Sequence, residues 1–121
     1  MTRSGRYRVT NRTRGTTLAE HSERASSWIR RGIGLIGRHS LPAGGGLIIE
    51  PCSSITSFSM RFAIDVAFVD RENTVVHLLP NMKPWRNSRI VRKSRYVVEL
   101  PAGRLAETDT HLGDILEIQP A

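Results

Sequence analysis

Alternation of large apolar with small or charged residues is clearest between Arg61 and Val69. This stretch lies inside Cys52–Asp70 (CSSITSFSMRFAIDVAFVD), the densest apolar run in the chain. Strand side chains alternate with period 2, so Phe62, Ile64, Val66 and Phe68 fall on one side and Arg61, Ala63, Asp65, Ala67 and Val69 on the other. The pattern predicts a strand with one large apolar face and a second face that is mostly small, with an acid at its centre. Arg61 and Asp65 are about 13 Å apart along such a strand and do not pair. Shorter alternating or β-branched runs predict further strands at 7–11, 16–19, 47–49, 74–79, 95–100 and 115–119, with turns at 70–73 and at Gly113-Asp114. Ala25, Trp28, Ile29, Ile33 and Ile36 recur at helical spacing. Thr17 and Glu20 have capping-box spacing, and Ser22 is the alternative N-cap. An early helix is therefore expected, weakened by Gly32 and Gly34 and ended near Gly37. Residues 101–108 suit one or two helical turns. The sum is a mainly β chain: a compact, mostly antiparallel barrel or sandwich with one N-terminal α-helix.

Composition narrows this picture. At 121 residues and 39% apolar, the chain makes a single domain over 1–121, with 1–14 as a candidate flexible basic arm. One cysteine, Cys52, excludes an internal disulfide framework and a cysteine-built zinc cage. No apolar run approaches membrane-spanning length, so no membrane association is expected. The first residues carry arginines but no apolar signal core, and a cytoplasmic location is expected.

Charge adds a partner class. The net charge is +7, and 16 of the 18 basic residues are arginine. Residues 1–38 hold nine arginines against two glutamates, whereas residues 39–121 balance nine basic with nine acidic side chains. A second cluster, Lys83, Arg86, Arg89, Arg92, Lys93 and Arg95, has no acid inside it. Such patches neutralise phosphates, and Arg24, Arg30, Arg31, Arg86, Arg89 and Arg92 are the candidate nucleic-acid contacts. A solvated basic surface, or an arginine-rich composition throughout, explains the same counts.

Candidate chemistry centres on Asp65. With Ala63 and Ala67 beside it, the acid could floor a shallow concavity that takes a ligand. The same small residues also suit close backbone approach, with Asp65 accepting hydrogen bonds from a loop. Ser53, Ser54, Thr56, Ser57 and Ser59 could hold a ligand or satisfy local backbone. His77 has no second histidine at ligand spacing, so it reads as structural and no metal site is expected. Gly44-Gly45-Gly46 lacks the Lys-Ser/Thr and the helix of a phosphate-binding loop. No cofactor motif is present.

Three blocks carry a resemblance: 34–49 (GLIGRHSLPAGGGLII), 52–70, and 97–118 (VVELPAGRLAETDTHLGDILEI). In this order and spacing the chain resembles the bacterial and archaeal "domain of unknown function 192" family from about residue 15 to 118. The specific part is Met60-x-Phe62-x-Ile64-Asp65, reinforced by Glu99-Leu-Pro-Ala-Gly103. The resemblance implies a small β-rich, jelly-roll-like or barrel-like domain with a helix near its start, and no established activity, cofactor or substrate. Thr56-Ser57 stands where His or Asn followed by Thr is common in the family, and Ala63 where Pro is common. A metal or acid-base role at position 56 is therefore not carried over.

Three functions follow as expectations. The first is a non-catalytic binding domain for a small polar or carbohydrate-like ligand, with Thr56, Ser57, Met60, Asp65, Trp85 and Glu99 as its site. The second is a nucleic-acid or protein-binding module that uses the arginine-rich surface. The third is a hydrolase using Asp65 and Glu99 as paired carboxylates, which requires the two to share a cleft.

Overall fold

The computed structural model describes residues 6–25, 41–57 and 60–121. Seven strands form one sheet: β1 (Tyr7–Asn11), β2 (Thr16–Ala25), β3 (Gly45–Ile49), β4 (Ile64–Val69), β5 (Val75–Met82), β6 (Tyr96–Pro101) and β7 (Leu116–Pro120). One short helix, α1 (Arg104–Glu107), follows β6. The spatial order is β5-β4-β6-β3-β2-β1-β7. All pairs are antiparallel except β2 with β3. The sheet curls until its two outer strands meet at one corner, where Thr74 bridges Ile115 and the Val75 amide donates to the Asp114 carbonyl at 2.8 Å. The result is a half-barrel.

Two apolar layers line its two faces. Inside lie Val9, Leu18, Ile48, Ala67, Val69, Val98, Leu100 and Leu116. Outside lie Leu47, Ile49, Ile64, Val66, Phe68 and Val97, covered by loop residues Ile55, Met60 and Val91. The alternation along β4 thus divides as expected, but both of its faces are buried, one against the inner layer and the other beneath the loop residues that cover the outer layer. Pro80 falls on β5, the outermost strand beside β4, where a missing amide disturbs no central ladder.

Two expectations change. The helix caps at Thr17–Glu20 and Ser22 are strand residues, since β2 runs ten residues and is paired on both sides. Ala25, the first apolar position of the expected helix, ends β2 opposite Ile49, and the rest of that helix lies outside the described residues. The basic arm is strand β1 from Tyr7, held between β2 and β7. The glycine run serves the sheet: Gly44 turns with φ +80, and a Cβ on Gly46 would lie 2.9 Å from Ser22 Oγ and 3.1 Å from the Glu99 carbonyl oxygen.

Candidate functional site

Asp65 is fully buried. Its Oδ1 accepts the Asn81 amide at 2.8 Å, and its Oδ2 accepts the Leu105 amide at 2.8 Å. One carboxylate therefore ties β4 to the end of β5 and to the first turn of α1. A group so placed satisfies backbone donors that would otherwise be stranded in the core. Fully buried with one amide on each oxygen, the carboxylate presents no solvent-facing atom to a ligand. The paired-carboxylate arrangement also fails on register. Asp65 stands opposite Leu100 and Val66 opposite Glu99, so Asp65 faces the inner layer and Glu99 the outer. Both are fully buried, with the sheet between them.

The remaining residues of the expected ligand site gather on the outer side, where the loop 50–57 zips against the loop 83–94. Ser57 is the joint. Its amide donates to the Arg86 carbonyl at 2.8 Å, and its carbonyl accepts the Trp85 amide at 3.1 Å. Its hydroxyl donates to the Lys83 carbonyl at 2.6 Å and accepts the Arg86 amide at 2.9 Å. Thr56 bridges Asn87, and the Ser88 amide reaches the Ile55 carbonyl at 2.8 Å. Met60 is buried beneath, in the outer apolar layer. Ser57 is fully buried, so the hydroxyl expected to meet a ligand instead fixes residues 83–86.

What this zipper presents outward is charge and apolar surface together. Lys83, Arg86, Arg89, Arg92, Lys93 and Arg95 are all exposed. Trp85 is 62% and Ile90 66% exposed, the two most exposed large apolar side chains beside Leu112 among the described residues. From Asn73 to Val98 the chain contains no Asp or Glu. Of the six cations, Arg95 pairs with Glu50 at 3.2 Å; among the described residues no ion pair engages the other five. The loop's field reaches β5. His77 is held below the usual imidazole range, first by burial and then by the charge of Arg89.

Arg24 belongs elsewhere. It lies at an open concavity of about 780 Å³ between β1, β7 and the 70–73 turn. There its Nη2 pairs with Glu50 Oε1 at 2.8 Å and its guanidinium stacks 5.2 Å from the Tyr7 ring. Arg95 shares the same Glu50, so the charges in this mouth largely answer one another. Tyr96, pushed well above the usual phenol range chiefly by burial, donates to Asn73 Oδ1 at 2.9 Å. Arg30 and Arg31 lie outside the described residues. The arginines expected to act as one surface therefore separate: Arg86, Arg89 and Arg92 share the outer loop, and Arg24 is spent in the mouth.

A buried polar knot that carried no local sequence signal lies at the corner where the two outer strands meet. Asp114 Oδ2 accepts from Asn11 Nδ2 (2.9 Å), Arg14 Nε (3.0 Å) and the His111 amide (2.9 Å). Burial opposes its charge, yet these donors hold its carboxyl low, at about 2. Asn11 and Arg14 lie about a hundred residues from Asp114 in sequence, so local spacing carried no signal for them. Cys52 is buried, its thiol donating to the Ser54 carbonyl at 3.1 Å, as suits a structural thiol.

Comparison with known proteins agrees with this architecture. A family model described as "DUF192: Uncharacterized ACR" matches residues 9–118. The UPF0127 protein PF1050 of Pyrococcus furiosus is 32% identical over 112 residues, covering 88% of this chain and 94% of its own. The UPF0127 protein PYRAB11210 of Pyrococcus abyssi is 32% identical over 100 residues, 78% of this chain and 83% of that one. A crystal structure of a protein of unknown function from Novosphingobium aromaticivorans superposes with TM-score 0.78 at 21% identity, covering 93% of this chain and 83% of the other. That likeness is one of fold.

Proposed function

The chain belongs to the DUF192 family of uncharacterised proteins, and we propose that it is a non-catalytic binding domain that grips nucleic acid with its outer loop pair. One observation carries the reading: residues 83–95 expose six cations and no acid on a scaffold stapled by a buried serine. Cations presented this way exchange condensed counterions for phosphates, a driving force that needs no base-specific contact. Five of them have no carboxylate partner among the described residues, so binding phosphate breaks no ion pair there. Hydrogen bonds that already hold residues 83–86 also lessen the ordering penalty of association. The small polar ligand and the hydrolase are weaker readings, because both depend on an accessible Asp65 and that carboxylate is sealed by two amides.

Fluorescence anisotropy of a labelled oligonucleotide, titrated at low and at physiological salt, tests this. The expected result is binding at low salt that weakens steeply as salt rises and varies little with sequence. No binding at low salt, or affinity indifferent to salt, counts against it. Displacement by polyglutamate as readily as by nucleic acid of equal charge would move the assignment to an acidic protein surface.

A further inference from the structure

We infer that Trp85 is a stacking platform for an unpaired base, so that the nucleic acid taken is single-stranded. The inference rests on the reading of the 83–95 loop as a nucleic-acid surface and adds to it which form of nucleic acid fits.

The backbone carries the argument. Trp85 has φ +65, in the left-handed region that a bulky side chain rarely occupies and that is disfavoured without compensation from its surroundings. The compensation is visible. The Trp85 amide donates to the Ser57 carbonyl at 3.1 Å, and on either side the Ser57 hydroxyl holds the Lys83 carbonyl and the Arg86 amide. These hydrogen bonds to one buried serine hold the turn in a conformation that its own sequence does not favour. Its outcome is a tryptophan 62% exposed to solvent, where most of the other large apolar groups among the described residues are buried.

The surroundings choose the ligand. Lys83 and Arg86 flank the indole in sequence, and Arg89 and the exposed Ile90 follow on the same loop. Cations that track a backbone, interleaved with an aromatic face, suit a strand whose bases are free to turn outward. A duplex offers phosphates but keeps its bases stacked on one another, and this loop brings no helix to lay in a major groove. The indole therefore adds to the affinity for a single strand and little to that for a duplex. Stacking of one base raises affinity by roughly tenfold or more.

The test compares a short single-stranded oligonucleotide with its duplex, for the wild type and for the Trp85→Ala and Trp85→Phe variants, at one low salt concentration. Wild type is expected to favour the single strand by about tenfold, with quenching of its tryptophan fluorescence. Trp85→Ala should lose that preference while keeping its duplex affinity and salt dependence. Trp85→Phe should keep part of the preference and lose the quenching. Equal affinity of wild type for both forms, or a preference unchanged in Trp85→Ala, overturns the stacking role and leaves the basic-loop reading standing. Binding to neither form overturns both.

Discussion

The Oδ2 atom of Asp65 accepts the Leu105 amide at 2.8 Å, joining a central strand to a helical turn 40 residues away. With Oδ1 on the Asn81 amide, the same side chain anchors the left-handed turn at Asn81, where φ is +54. Removing it strands the buried Leu105 amide and takes the acceptor from the part-buried Asn81 amide. Asp65→Ala is expected to lower stability by about 2–4 kcal/mol. Asp65→Asn should be little better, because one of its two polar atoms becomes a donor facing a donor. Urea unfolding of the two variants checks this. Near-wild-type midpoints for both would show that the carboxylate is not a structural tie.

Ser57 acts on the outer loop as Asp65 acts on the core. Ser57→Ala loses the hydroxyl's bonds to the Lys83 carbonyl and the Arg86 amide. A loss of about 1–2 kcal/mol is expected, and the amides of Trp85 and Arg86 should exchange hydrogen faster than in the wild type. Unchanged exchange at those two amides would mean that the loop is held by other contacts.

Acid should loosen the corner where β1, β7 and the 109–114 turn meet. The Asp114 carboxyl lies at about 2, against burial, because Arg14, Asn11 and the His111 amide favour its charged form. A depressed carboxyl contributes stability that is fully present above its ordinary range, near pH 4, and is lost as pH falls through about 2. Asp114→Asn should be less stable at neutral pH and flatter in its pH profile between pH 2 and 4. Parallel pH profiles for the wild type and the variant would remove Asp114 as the source.

His77 offers a reporter for the loop. Burial is the larger cause of its lowered pKa and the Arg89 charge the second. Arg89→Ala should therefore raise the imidazole pKa part of the way back, as read from its NMR chemical shifts. Because protonation is disfavoured in the fold, stability at this site is present above the ordinary imidazole range and is lost as pH falls below it. An unchanged His77 titration in Arg89→Ala would show that the loop charge does not reach β5.

Several of these features could be read from the chain, and others could not, for identifiable reasons. The alternation from Phe62 to Val69 is a local property, and β4 has the two faces it implies. The family could likewise be identified from the Met60–Asp65 core and the Glu99–Gly103 block. Ser22, by contrast, reads as a helix cap in isolation but is drawn into β2 by pairing on both sides, a tertiary effect that local propensity does not carry. Asp65 has the same sequence signature whether it floors a pocket or binds amides. Only the arrival of Asn81 and Leu105 distinguishes the two. Its separation from Glu99 is a matter of register between β4 and β6, which neither strand encodes alone. The basic loop was legible as charge, but its orientation was not, because Ser57 sets it from about thirty residues upstream.

The central claim is that the 83–95 loop contacts phosphate, and the dependence of affinity on salt measures this most directly. The slope of log K against log salt should be compared for the wild type and for an Arg86→Ala/Arg89→Ala variant. An Arg12→Ala variant, which removes a cation that lines the concavity of β1 and β7 and pairs with Glu117, serves as control. Each lost phosphate contact reduces the slope by about 0.7–0.9. The loop variant is expected to show a slope shallower by about 1.4–1.8, and the control an unchanged slope. Identical slopes for all three proteins would place any nucleic-acid contact away from this loop and contradict the account.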